Sequence, residues 1–151
     1  MARRVTVALA LLALGAGASG CSGEGVSKGA TVNAYVSAPL CAAAKGELTK
    51  RGSSAGDVKV RVICLAPAMH SGRLDLATIG ANARRATEDS SAIAFVEAPG
   101  PANRFSRTIL EESGIAWTTA TSGASAVQRV LNAVSEADSG SLRDKVNSSL
   151  E

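Results

Sequence analysis

Three cysteines, a single histidine and a few carboxylate pairs hold most of the chemistry that this 151-residue chain could perform. Ala18-Ser19-Gly20 ahead of Cys21 supplies the small residues that a signal peptidase accepts, and a cysteine left as the first residue offers the thiol nucleophile that lipid attachment needs. Cys41 and Cys64 remain. In an oxidising compartment they either pair as a disulfide or stay as two buried thiols. No Cys-x-x-Cys spacing occurs and His70 is the one histidine, so a zinc site would lack its usual ligands, and no cofactor is expected. Ser71 follows His70 directly, a spacing at which side chains rarely aim at each other, and nothing identifies a third member of a triad. Glu88-Asp89 and Glu111-Glu112 fall at helix ends or faces, where solvation accounts for them without acid–base catalysis. The glycine-rich stretches lack the Lys-Ser or Lys-Thr of a phosphate loop. The chain reads as a non-enzyme.

Arg3 and Arg4 precede an unbroken run of apolar and small residues from Val5 to Ala18, the order of a secretory signal. The run is about 14 residues, against roughly 20 for a membrane-spanning helix. With Cys21, the segment resembles a bacterial lipobox, Ala18 standing where leucine is commoner; ordinary cleavage beside an incidental cysteine is the alternative. The expected organisation is a signal peptide over residues 1–20, a lipidated Cys21 and flexible tether over 21–29, and one domain over 30–151, anchored by lipid on the extracytoplasmic face of the cell membrane. The net charge of +3 counts Arg3 and Arg4, without which the basic side chains barely exceed the 13 acidic ones. Nucleic acid, which needs clustered Lys and Arg, is therefore not an expected partner.

The domain alternates strands and helices. Thr31 to Ser37 is a β-branched and aromatic run ended by Ala38-Pro39, and Leu40 to Arg51 carries Leu40, Ala44 and Leu48 on one helical face. Val58, Val60, Val62 and Cys64 alternate with Lys59 and Arg61 in a second strand. Pro67 to Gly72 reads as loop, and Asp75 as the cap of a helix reaching about Glu88 with Leu76, Ile79, Ala83 and Ala86 inward. Ser91 to Val96 suits a central strand covered on both sides, Asn103 an N-cap for a third helix, Gly114 its stop, and Ile115 to Thr119 a fourth strand. Val127, Val130, Leu131 and Val134 mark a fourth helix, and a Ser141…Asp144 capping box a fifth carrying Leu142, Val146 and Leu150. These spacings predict an α/β fold: a four-stranded, mostly parallel sheet, helices on both faces in three Rossmann-like or flavodoxin-like layers, and two C-terminal helices.

TVNAYVSAPL, ANARRATEDSSAIAFVE and ILEESGIAWTTATS resemble the N-terminal lobe of type I periplasmic substrate-binding proteins, the branched-chain amino-acid receptors of ABC importers. GASAVQRVLNAVSEADSGSLRDKV resembles the late helix pair that, in the full-length family, returns from a second lobe. The resemblance covers most of residues 31 to 146, while the segment that would build the second lobe is absent between Ser122 and Ser125. It implies one lobe with its returning helices and a site at the strand ends. By position, the first-strand loop contributes Ser37, Ala38 and Pro39, and the fourth-strand loop Ala120 and Ser122. The third loop departs from the family pattern, with Glu97 in place of glycine and Pro101 near the place of a carboxylate-binding serine; Asn103 and Ser106 are candidate substitutes, against a reading of both as caps and loop polar groups.

The resemblance implies a membrane-anchored solute-binding-like lipoprotein that takes a small amino-acid-like ligand and serves an ABC permease. The other expectation is a protein-interaction or dimerisation module, a homodimer included, using the strand-end surface around Trp117 and Thr119 that a missing lobe would expose.

Overall fold

The computed structural model describes residues 29–136 together with Val146, Asn147 and Leu150. The leader, Cys21 and the tether expected over 21–29 lie outside the described residues, save Gly29, as does most of the expected fifth helix.

The chain starts with β1 (Thr31–Val36), whose alternating Val32, Ala34 and Val36 face one side of the sheet and Tyr35 the other. Helix α1 (Ala38–Lys50) follows at once, because Pro39 at its start has the φ a helix wants and lacks only an N–H that would have had no partner. It stops where Gly52 and Ser53 take positive φ of 83° and 56°. The next strand, β2 (Ser54–Ala55), pairs antiparallel with β3 (Val58–Cys64), and a short hairpin, β4 (Met69–His70) and β5 (Arg73–Leu74), turns on Ser71 and Gly72 at φ 50° and 75°. Positive φ at both central residues gives a turn twisted to match its flanking strands. Helix α2 (Leu76–Thr87) is capped by Asp75, whose carboxylate accepts from the Thr78 N–H at 3.0 Å; these bonds hold the Asp75 carboxyl below its usual range. The last elements are β6 (Ala92–Glu97), α3 (Asn103–Glu111), β7 (Ala116–Thr119) and α4 (Gly123–Glu136).

Among the described residues the main sheet has five strands in the order β2-β3-β1-β6-β7, parallel except for β2. The expected α/β class and largely parallel sheet are present, and the strand count of four is corrected to five, with a separate two-stranded hairpin besides. Both additions come from two-residue strands, too short to show alternation in a sequence, inside or just after segments expected to be loop. Leu76 is also corrected: it is 56% exposed rather than packed inward, while Ile79, Ala83 and Ala86 are buried.

Helices cover both faces. Leu40, Cys41, Ala44 and Leu48 of α1 and Ala126, Val127, Val130 and Val134 of α4 form one core with Val32, Ala34 and Val36, and Val146 and Leu150 join it. Tyr35, Phe95, Ala83, Ala86, Leu110 and Ile115 form the other. Strand β6 lies between the two with all six residues buried, as its unbroken apolar run implies. α4 meets α1 so closely at Gly123 that a Cβ there would stand 2.4 Å from the Ala44 nitrogen. Cys41 and Cys64 form a disulfide, with Cα atoms 5.5 Å apart, that ties the first turn of α1 to the end of β3.

Candidate functional site

Strand order decides where the site can be. From β1 the chain crosses through α1 to β3 on one side, then through α2 to β6 on the other side of β1. The connections after β1 and β6 therefore leave the sheet toward opposite faces, and open α/β sheets place their ligands in the crevice this creates beyond the carboxyl ends of the strands. A cavity of about 350 Å³ occupies that position, walled by Ser37 to Pro39 after β1, Leu65 to Met69 after β3, Glu97 to Asn103 from β6, and by Leu74 and Asn82. The volume falls within the range of small-molecule sites.

The chain has four prolines, and all four, Pro39, Pro67, Pro99 and Pro101, line this cavity. Proline fixes its own φ and carries no N–H, so four of them give a rim that is stiff and poor in hydrogen-bond donors. Ala38, Leu65, Ala68, Met69 and Leu74 extend the apolar lining.

The polar side chains of the wall hold its loops in place. The Ala98 N–H donates to Ser37 Oγ at 2.9 Å, joining the ends of β1 and β6. Asn82, buried on the inner face of α2, donates from Nδ2 to the Ala66 carbonyl at 2.9 Å and accepts the Ala66 N–H on Oδ1 at 3.1 Å. Asn103 accepts from the Gly100 N–H at 2.6 Å and donates to the Ala98 carbonyl at 3.2 Å. The expected N-cap role of Asn103 is corrected by this geometry: the residue is the first of α3, Ala102 takes the cap position, and the Asn103 amide pins the preceding loop.

Glu97 ends β6 with 6% of its surface exposed. Its Oε2 accepts from Ser106 Oγ at 2.6 Å and from Trp117 Nε1 at 2.8 Å. Ser106, only 1% exposed, is thus engaged with Glu97, and Trp117 is half-buried with the Arg107 guanidinium 5.3 Å from its ring centroid.

Of the residues the sequence singled out, Ser37, Pro39 and Asn103 meet at the cavity, and Ala120 and Ser122 stand outside its lining. Ala120 is buried and its N–H continues the sheet ladder to the Glu97 carbonyl at 2.9 Å; the Ser122 hydroxyl accepts from the Ser125 N–H at 3.1 Å and caps α4. Sequence reasoning passed over Asn82 and the loop Leu65 to Met69. The signal for Asn82 was its place beside Ile79, Ala83 and Ala86 on the inner face of α2, where a buried amide must find backbone partners.

A second, larger hollow of about 580 Å³ lies beside β7, lined by Arg107, Glu111, Trp117, Thr119 and Arg129 among others. It is a surface groove whose charged side chains are exposed, Arg107 and Glu111 being bonded to each other. Among the described residues no three His, Cys, Asp or Glu side chains cluster as a metal site, and no helix is long and apolar enough to cross a membrane. Comparison with family models, curated proteins and solved structures finds no match to this chain.

Proposed function

We propose that this chain is a membrane-anchored, extracytoplasmic ligand-binding lipoprotein, built as a single Rossmann-like lobe of the solute-receptor kind and holding a small organic molecule at the carboxyl ends of β1, β3 and β6. The observation that carries this reading is the proline-rimmed cavity at the point where the strand order reverses, with its loops pinned by Ser37, Asn82 and Asn103. A wall held by internal hydrogen bonds is organised before a ligand arrives, so binding costs little loop ordering. The Cys41–Cys64 disulfide supports an oxidising location, in keeping with the export signal and the Cys21 anchor. The protein acts by binding and not by catalysis, because the hydroxyls and amides nearest the cavity hold its walls. An ABC permease is the partner this role implies.

Titration of the full chain with small amines, amino acids, alcohols and carboxylates, followed by calorimetry and thermal unfolding, tests the reading. Saturable binding by one class supports it, and silence from all of them at millimolar concentration rejects it. The groove beside β7, an edge strand bearing Trp117, favours a second reading as a homodimerisation or protein-docking module. Light scattering on the chromatographed protein separates the two, since a monomer at high concentration excludes the homodimer.

A further inference from the structure

A carboxylate sunk in an apolar wall is costly unless something of opposite charge or several donors compensate it. Glu97 is that carboxylate: it lines the cavity and is 6% exposed, and its two hydrogen-bond donors, Ser106 and Trp117, are both neutral and both directed at Oε2. Among the described residues the ion pairs are Arg51–Glu47 and Arg107–Glu111, so Glu97 belongs to neither. No described donor engages Oε1, yet Oε1 is not a buried atom without a partner, of which the described residues hold one, Asn33 Oδ1. Oε1 therefore keeps contact with solvent, and of the two hollows Glu97 lines this cavity and not the groove beside β7. No Lys, Arg or His stands among the described residues of the cavity lining. The site thus combines a single negative charge with prolines, alanines, Leu65, Met69 and Leu74.

On the reading of this cavity as a ligand site, we propose that it selects a protonated primary or secondary amine carried on a small apolar body, the nitrogen against Glu97 Oε1 and the body against the proline rim. The ammonium supplies the charge that the wall lacks, and the apolar part replaces water along surfaces with few groups to hydrate. A zwitterionic amino acid fits this chemistry poorly. Its carboxylate would find no basic side chain in the lining and would be repelled by Glu97.

The test uses the full chain and three probes sharing one body: 2-phenylethylamine, 2-phenylethanol and phenylalanine, with isoamylamine, isoamyl alcohol and leucine as an aliphatic set. The amine should bind at least about tenfold tighter than the alcohol and the amino acid in one set or the other. Glu97→Gln should bring the amine down to the alcohol's affinity while leaving the alcohol unchanged. Equal binding of amine and alcohol, tightest binding of the amino acid, or a preference that survives in E97Q overturns amine selection and leaves the cavity as a ligand site. Silence from all six probes overturns amine selection, and the receptor reading falls with it only if the wider panel, carboxylates included, is silent as well. Should E97Q fail to fold, the ranking on the unaltered protein decides.

Discussion

The two ends of the sheet differ in what their polar side chains hold together. At the amino end, Asp89 Oδ2 accepts from Asn33 Nδ2 at 2.7 Å and from the Tyr35 hydroxyl at 2.9 Å, while Oδ1 accepts from the Ser91 N–H at 2.8 Å. The Arg85 guanidinium lies 5.8 Å from the Tyr35 ring centroid. Side chains there bond to one another as well as to backbone, and through Asp89 the turn after α2 is stapled onto β1. At the carboxyl end Ser37, Asn82 and Asn103 bond to loop backbone beside the side-chain cluster of Glu97, Ser106 and Trp117, and the loops border a cavity.

Breaking the disulfide should give the largest effect and should fall on the carboxyl end. Cys41→Ala with Cys64→Ala removes a cross-link between residues 23 apart, and the unfolding midpoint in urea should fall by the equivalent of about 3 kcal/mol. Ligand affinity should fall with it, because Cys41 and Cys64 adjoin the walls after β1 and β3; unchanged affinity would show that those walls hold without it. Asp89→Ala comes next, at about 2 kcal/mol, since three donors lose a charged acceptor. Its effect should stop at the amino end, and calorimetry that finds weakened ligand binding would erase the distinction between the two ends. Asn82→Ala should cost about 1 kcal/mol in stability while lowering ligand affinity, having freed both backbone groups of Ala66.

The smallest effect is a titration. Tyr35 is the single tyrosine, so ultraviolet absorbance reads it directly. Burial, and then its hydrogen bond to Asp89, push its hydroxyl up from 10.0 to about 12. Because the folded value lies above the unfolded one, its contribution to stability is whole below pH 10 and is lost as pH rises toward 12. The absorbance midpoint should move down in D89A and stay put in the disulfide variant. A midpoint at the ordinary tyrosine value would mean that the staple is loose.

Much of this comparison was legible in advance, and unevenly so. The alternation in Val58 to Cys64, the unbroken run in Ala92 to Val96, the Asp75 cap and the Leu40, Ala44, Leu48 stripe each follow from a local period, which survives whatever the rest of the chain does. Asp89 was read as a solvated helix end, since nothing local links it to Asn33 and Tyr35, more than fifty residues earlier. Glu97 stood out as an unexpected residue at a strand end, but its partners Ser106 and Trp117 come from α3 and β7. The hairpin wall from Met69 to Leu74 was invisible because two-residue strands have no period to read.

The amino-acid order alone determined the longer strands and the helices, and that those strands run parallel with long crossovers between them, because side-chain periodicity and connection length are properties of neighbouring residues. Only the tertiary structure decided that β6 takes the side of β1 away from β3, that the four scattered prolines meet on one rim, that Cys41 and Cys64 pair, and that Glu97 is left with an open oxygen. Each of those depends on which distant segments become neighbours, and that is set by the packing of two cores at once.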